Sequence, residues 1–541
     1  MGSGEALPAI GGDDRRRIQR VQRAPTQSVA YGAAATLLAD AERSYAAGNW
    51  PAVVARFRAA AAAEPFRTDI LHWLATAACR SADFALAAST AEQILRIDPH
   101  DLGAWLLLSG LLAQADRLPE ALEACERAIA IDPLRPESHM ECAGLHARRG
   151  DFVAVARCCR QVVALRPNWT DAHVNLGAAL FRQSQPQEAA ACFRRALVLQ
   201  PDHAHAWRNL AAAQRALGNF DGALTAYRKA RDIAPDFAEA WRDEALMHLM
   251  LGDFATGWTL YEWRWRAPLP GAPALPGRAW DGAPLPGTLL LHCEQGLGDT
   301  IQFLRYVPMV AARVGHLVLC VPGTLRQLAE TVDADIEVVE PGEALPHYDR
   351  YTYLMSLPRL FGTTVETIPP SPYLHTTPAR SSVWRPRLAA LSSPRIGLVW
   401  VGSTAHEADA QRSIPPETLD PLLHIDGITF VGLQYPQPRN RPTGLAVDLA
   451  PAIADMADTA AILQEIDLLI TVDTAAAHLA GALGRPAWVL LAEVGDWRWL
   501  TGRTDSPWYS SLRLFRQRPR GDWKEVVERV GGALRQWMTT R

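Results

Sequence analysis

The sequence predicts an all-α solenoid followed by an α/β pair of domains. Three observations carry this. Prolines recur at Pro65, Pro99, Pro133, Pro167, Pro201 and Pro235, each 34 residues after the last. A stretch dense in Pro and Gly, residues 267–287, then ends the pattern, because such a composition stops a helix and extends the chain. Beyond Gly287, short apolar runs alternate with helical stretches, as parallel strands joined by crossover helices do.

The repeat half covers residues 33–266. Gly48-Asn49-Trp50, Gly150-Asp151-Phe152, Gly218-Asn219-Phe220 and Gly252-Asp253-Phe254 mark the turn inside a helix pair. Glycine supplies left-handed backbone there, and the aromatic packs back on the pair. Ala60, Ala128, Ala196 and Ala230 stand where the two helices cross, with Phe57, Phe193 and Tyr227 one turn earlier. Trp105, Trp207 and Trp241 share one position of the first helix. These positions, agreeing at one period, resemble the tetratricopeptide repeat family. A single unit of that kind cannot bury its apolar face, so units must stack. Six units end in the recurring proline. A seventh, from Ala238, ends in Trp258-Thr259-Leu260-Tyr261-Glu262-Trp263-Arg264-Trp265, an aromatic end expected to pack on the next domain. The resemblance implies a concave groove that binds a protein segment; a spacer or dimerisation element is the alternative. Trp280, inside the 267–287 connector, is expected to be buried.

The 541 residues, about half of them hydrophobic, suffice for several cores. A net charge of −4 gives no reason to expect nucleic acid or an anionic membrane as partner. No run of roughly 20 apolar residues is present, and no charged-then-apolar leader pattern is seen. The expectation is a cytoplasmic protein without a transmembrane segment. Residues 1–32, with Arg15, Arg16, Arg17, Arg20 and Arg23, read as a solvated basic tail. Of eight cysteines, six (Cys79, Cys125, Cys142, Cys158, Cys159, Cys192) fall in the repeats; Cys293 and Cys320 lie beyond. No C-x-x-C or Cys/His cluster has metal spacing, so reduced core thiols are expected. Asp333-Ala334-Asp335 copies a metal-binding D-x-D, but it precedes a strand away from the other motifs and reads as a surface turn.

The α/β half divides into residues 288–380 and 394–541, with a Pro-rich passage at 368–378. Candidate strands are 288–293, 316–321 and 336–339, then 395–401, 428–433, 467–472 and 487–491; the last helix is 522–537. Twin Rossmann-like domains facing a cleft are expected. Ligands of open α/β sheets bind beyond the carboxyl ends of strands. The residues that follow strands are therefore the candidates.

Glu294-Gln295-Gly296-Leu297-Gly298-Asp299 leads from the first strand into a helix over 300–312. Its glycines permit close approach of backbone to a ligand. Asp299 there is either a helix cap or a general base. Asp473-Thr474-Ala475-Ala476-Ala477-His478 follows strand 467–472. Asp473 or Thr474 caps the next helix, whose first-turn amides suit a phosphate. His478 shares a side with Thr474. It either donates to a phosphate oxygen or is a satisfied histidine between helix and sheet. Trp400-Val401-Gly402-Ser403 leads to Arg412-Ser413-Ile414-Pro415. Gly402 allows close approach, and Arg412 pairs with an anion or lies in water. Gln434, after strand 428–433, reads a base edge or caps a loop.

Taken in order, Gly296-x-Gly298-Asp299-x-Ile301-Gln302-Phe303, Gly397-Leu398-Val399-Trp400-x-Gly402, Arg412-Ser413-Ile414-Pro415 and Val472-Asp473-Thr474-x-x-x-His478 through Pro486 resemble bacterial tetratricopeptide–glycosyltransferase fusions. Their catalytic half is similar to the heptosyltransferases and, more distantly, to O-GlcNAc transferase. Trp497-Arg498-Trp499-Leu500, Ser506-Pro507-Trp508-Tyr509 and Arg513 to Gln517 belong to the same pattern. After Gly402, Ser403-Thr404-Ala405-His406 departs from the Asn-Pro of that family.

The resemblance implies a GT-B fold, with the first half facing the acceptor and the second holding a nucleotide-sugar. It implies Asp299 as base, with Gly296, Gly298 and Gln302 in the acceptor-side loop. It implies Gly402, Arg412, Gln434, Asp473, Thr474, Ala475 and His478 on the donor side. The implied reaction is inverting, with no metal or cofactor beyond the nucleotide-sugar. The expected acceptor is a Ser or Thr of a protein held in the repeat groove, flagellin or another surface protein by analogy. An inactive scaffold and a transferase acting on glycan or lipid-linked sugar are the alternatives.

Overall fold

The computed structural model describes residues 31–267, 273–403, 409–435, 441–518 and 521–540. The basic residues between 15 and 23, part of the connector (268–272) and His406 lie outside the described residues. Fourteen helices, from Tyr31–Ala46 to Phe254–Tyr261, form successive helix–turn–helix pairs, and parallel sheets follow. The chain divides into two compact units, Met1–Leu199 and Gln200–Arg541.

The turn inside each pair recurs at one place with positive φ. Gly48 (+68°), Gly150 (+75°), Gly218 (+73°) and Gly252 (+86°) occupy it in four units. Ala82 (+60°), Asp116 (+59°) and Ser184 (+60°) occupy it in the other three, where a side chain pays for a geometry that glycine takes freely. The next residue caps the second helix: Asn49, Asp83, Asp151, Asn219 and Asp253 each accept from an amide three residues on at 3.0–3.2 Å.

Five of the six recurring prolines, Pro99 to Pro235, are held through their carbonyl by a ring N–H. Trp105, Trp207 and Trp241 donate their indole N–H to the oxygens of Pro99, Pro201 and Pro235 at 2.8–2.9 Å. His139 and His173 make the same bond from Nε2 to Pro133 (2.9 Å) and Pro167 (2.8 Å). A carbonyl only accepts, so that nitrogen carries the proton. The feature these five units share is a ring N–H, which the tryptophans alone did not reveal. Ala60, Ala128, Ala196 and Ala230 are fully buried, and Ile94 and Val162 fill the same column.

The cysteines are free, as expected, and in the first unit two of them meet a histidine. Cys142 and His146 on helix Pro136–Arg148 meet Cys158 on helix Phe152–Leu165, with ligand atoms all within 4.8 Å of one another. No spacing along the chain displays this cluster, because two antiparallel helices supply it.

The second unit opens with helices Ala204–Ala216, Phe220–Ile233, Ala238–Met250 and Phe254–Tyr261. Composition alone sets a boundary at 267–287; packing sets it earlier. Trp258 meets Phe303 (5.9 Å between centroids) and Trp497 (5.2 Å), and Phe254 stacks on Trp508 at 5.6 Å. All five are buried in one cluster, so the last repeats share a core with the sheets. Trp280 is buried and its N–H donates to the Ala283 carbonyl at 2.7 Å.

The first sheet comprises β1 (Leu285–His292), β2 (Val314–Cys320), β3 (Glu337–Val339) and β4 (Arg350–Tyr353), in the order β3-β2-β1-β4. The second comprises β5 (Arg395–Val399), β6 (Thr429–Gly432), β7 (Val447–Asp448), β8 (Leu468–Val472), β9 (Ala487–Leu491) and β10 (Leu512–Arg516), in the order β10-β9-β8-β5-β6-β7. All pairings between these strands are parallel. β8 and β9 are buried throughout and read as continuous apolar runs. β4, β7 and β10 escape the sequence reading, and each is an edge strand. A half-solvated edge such as Leu512-Arg513-Leu514-Phe515-Arg516 lacks the unbroken run. The helix expected over 300–312 starts earlier, at Leu297–Phe303, and a second segment, Val307–Ala311, follows it.

Candidate active site

In each sheet two neighbouring strands send the chain in opposite directions, and a crevice opens beyond their carboxyl ends. In the second sheet these are β5 and β8. Gly402, Arg412, Asp473, Thr474 and Ala475 gather there. Arg412 Nη1 donates to the Asp473 carbonyl at 3.0 Å. A Cβ on Gly402 would collide with the Arg412 guanidinium and Asp409, so the glycine clears the path of the arginine. Gly402 N–H donates to Ser413 Oγ at 3.0 Å. Gln434 is buried; its Oε1 accepts from the amides of Trp400 and Val401 and its Nε2 donates to the Val401 carbonyl, all at 3.0 Å. Its amide thus fastens the exit of β5. Helix Ala475–Ala482 starts at Thr474, whose side chain makes no cap and instead lies 3.0 Å from Thr471 Oγ1. That leaves the first turn uncapped by a side chain, the arrangement that favours an anion.

The crevice of the first sheet, beyond β1 and β4, is filled from within the unit. Arg264, fully buried, donates to Glu294 Oε1 at 3.0 Å, Ser356 Oγ at 2.7 Å and Glu262 Oε1 at 2.7 Å. The Met355 amide also donates to Glu294 Oε1, at 3.1 Å. Gln295 Nε2 donates to the Tyr261 hydroxyl at 2.7 Å. The end of the repeat region therefore anchors the turn that carries Asp299.

The two crevices meet where helix Leu297–Phe303 packs on helix Ala475–Ala482. A Cβ on Gly298 would lie 3.0 Å from His478 Cδ2 and 3.6 Å from Ala475 Cα, so this position needs glycine for the approach. Asp299 Oδ2 accepts from the Gly296 amide at 2.8 Å, and Oδ1 pairs with Arg498. Arg498, in the loop after β9, also donates to Gln302 Oε1 (2.7 Å) and Asp496 Oδ1 (2.8 Å). One guanidinium thus joins Asp299 and Gln302 to the second sheet. His478 Nδ1 lies 3.0 Å from the Tyr509 hydroxyl, and its ring stacks on Trp499 at 5.2 Å. Gln295 (φ +67°) and Leu500 (φ +48°) hold left-handed backbone beside Asp299 and Arg498, strain of the kind that clusters at functional sites.

Burial, with the charges of Arg498 and Arg305 added, pushes His478 down to about 3, so the imidazole is neutral near pH 7. Burial raises Tyr509 well above its ordinary value, and the phenol keeps its proton. The neutral imidazole has two tautomers, so either group can be the donor in the bond between Nδ1 and the Tyr509 hydroxyl. Burial, together with Asp496, raises Asp473 to about 6, against the pull of Arg498 and Arg412. Burial alone would raise Asp496 too, but Arg498 outweighs it and holds that carboxyl low. Burial raises Glu294 to about 7 despite Arg264, and its Oε2 has no partner.

Sequence reasoning placed Arg498 in a family pattern but gave it no role, and it missed Asp496, although applying the after-the-strand rule to β9 would have singled out both. It also missed Arg264, because the residue comes from the helical region. Arg305 is buried among neutral groups: it donates to the carbonyls of Gln302 (2.9 Å), Pro369 (3.1 Å) and Trp508 (3.0 Å) and to the Tyr373 hydroxyl (3.3 Å). A cavity of about 210 Å³ opens beside the site, lined among others by Phe220, Met250, Gly495, Thr501 and Arg516. Asp333 and Asp335 are exposed ahead of β3, remote from these groups in sequence and sheet position.

Two profiles of the tetratricopeptide repeat match the sequence, one over residues 174–236 and 213–261, the other over 80–145. The chain carries tetratricopeptide repeats. Protein FlbA of Caulobacter vibrioides is 31% identical over 312 residues, covering 52% of this chain and 52% of FlbA. The chain thus spans about half the length of that curated relative. Among solved structures, YrrB, described as a TPR protein with an unusual peptide-binding site, is 19% identical over 35% of this chain and 98% of its own, with a TM-score of 0.33. The MamA protein is 18% identical over 32% of this chain and 94% of its own, with a TM-score of 0.30. Among the described residues no helix is long and apolar enough to cross a membrane.

Proposed function

We propose that the chain is an inverting, metal-independent glycosyltransferase of the GT-B type, acting on Ser or Thr of a protein recruited by its repeats. One observation carries the reading: Asp299 and His478, each in the first turns of a helix that follows a strand, stand on two helices in contact. The acceptor hydroxyl attacks the anomeric carbon of a nucleotide-sugar, forming a C–O bond as the sugar–phosphate C–O bond breaks. The hydroxyl proton passes to Asp299, and the electron pair leaves with the nucleotide phosphate. The uncapped turn at Thr474–Ala475 and His478, in its Nε2–H tautomer, receive that charge. Gly402, Arg412 and Gln434 shape the donor side; Gly296, Gly298 and Gln302 shape the acceptor turn. Arg498 must turn from Asp299 to the arriving phosphate before Asp299 can accept a proton.

A second reading, an inactive scaffold, is favoured by the same pair, since both oxygens of Asp299 are engaged. Calorimetry with a panel of nucleotides separates them. The transferase reading expects one nucleotide to bind wild type and His478→Ala to lose it, with Asp299→Ala retaining binding and losing transfer. No binding by wild type would favour the scaffold. Glycan acceptors are distinguished by truncation to residues 200–541, which would keep glycan transfer and lose protein transfer.

A further inference from the structure

The buried cluster in the first unit stands apart from the proposed active site. Cys142 and His146 lie one turn apart on helix Pro136–Arg148, hence on one face, and Cys158 meets them from helix Phe152–Leu165. All three are buried, and one ligand atom of each lies within 4.8 Å of the others. His146 Nδ1 is buried without a hydrogen-bond partner and lies 3.9 Å from Asp151 Oδ2. Metal-binding histidines usually have a carboxylate beside the ring nitrogen that does not ligate, and Asp151 Oδ2 is the carboxylate near Nδ1, at a distance beyond a hydrogen bond. Asp151 is itself fixed, because its Oδ1 caps the second helix at Ala154 N, 3.0 Å away.

We propose that Cys142, His146 and Cys158 form a site for a thiophilic divalent cation, with Zn²⁺ as the ion of fitting chemistry. Two thiolates and an imidazole are borderline-soft donors suited to it. On binding, the thiol protons of Cys142 and Cys158 leave to solvent, sulfur–metal bonds form, and no electron changes hands. The ion cross-links the two helices of one repeat unit, next to the turn at Gly150.

The test uses the whole chain, reduced and stripped by chelator, with Co²⁺ as spectroscopic probe and Zn²⁺ in competition. The expected result is about one ion per chain with a thiolate-to-cobalt charge-transfer band. Cys142→Ser and Cys158→Ser should lose the band, and Asp151→Asn should weaken affinity by ~10-fold. Cys79→Ser should leave it unchanged. Helical circular dichroism checks folding, and His146→Gln supplies a substitution that removes no thiol. Absence of the band in wild type, its persistence in Cys158→Ser, or a Cys142–Cys158 disulfide found by mass spectrometry where the ion should be would each overturn the proposal.

Discussion

Replacing Glu294 by Gln should stabilise the protein at alkaline pH, and the size of the effect follows from the burial of that side chain. Its carboxyl is fully buried, one oxygen has no partner, and burial lifts it to about 7 from an ordinary 4.5. Between those values the native state keeps a proton that the unfolded chain has lost. Stability carried by this group therefore falls as pH rises through the window. The interval of roughly 2.5 units, at 1.36 kcal/mol each, amounts to about 3 kcal/mol above pH 7. Glu294→Gln removes the penalty, so its stability relative to wild type should rise by about that much from pH 4.5 to 8. The comparison must be made between variants, since His478, lowered to about 3, acts with the opposite sign over an overlapping range. Arg264→Met removes the opposing charge, leaves Glu294 buried alone, and should cost ~3–5 kcal/mol. Urea denaturation at several pH values measures all three proteins and the double variant, whose coupling should exceed 1 kcal/mol in order of magnitude. A Glu294→Gln difference that is flat with pH, or a variant less stable than wild type at pH 8, would refute the reasoning.

Three further outcomes are expected. A fragment of residues 200–541 should melt cooperatively, whereas 267–541 should not. The shorter one loses Phe254, Trp258 and Tyr261, whose burial of ~150–250 Å² each is worth on the order of 10 kcal/mol, comparable to the stability of a domain; a shared Tm would contradict this. Ala82→Gly should stabilise by about 0.5–1 kcal/mol, the relief of left-handed strain less the entropy of glycine, and Gly48→Ala should do the reverse, both read by thermal denaturation. Gly481→Ala drives a methyl into the ring of Tyr509, so it should cost ~2 kcal/mol or more and displace the partner of His478; an unchanged melting curve would show that the ring yields freely.

The repeats were legible because one period fixes many positions together, down to the turn glycines. The central strands were legible because burial on both faces makes their sequences uniformly apolar. Edge strands β4, β7 and β10 were not, since solvent on one side admits Arg350, Asp448 and Arg513. At the candidate site, Asp299, Asp473 and His478 were singled out by their place after strands. The grip of Arg498 on Asp299 joins residues 199 positions apart, and nothing local announces it. Gln434 and Arg412 were legible as polar residues in the right loops, but only the fold shows their side chains engaged with backbone. The Cys142–His146–Cys158 cluster was hidden for the same reason as Arg498: its members face one another across two elements.

The filling of the first crevice by Tyr261 and Arg264 bears on how such proteins diversify. A recombination event that exchanged recognition arrays at the Pro- and Gly-rich connector would carry away part of the foundation under Asp299. Exchange upstream of Gln200 would leave that foundation whole. Lineages that swap specificity by shuffling repeats should therefore show their breakpoints ahead of the final helix pairs, with those pairs inherited alongside the sheets as one cassette.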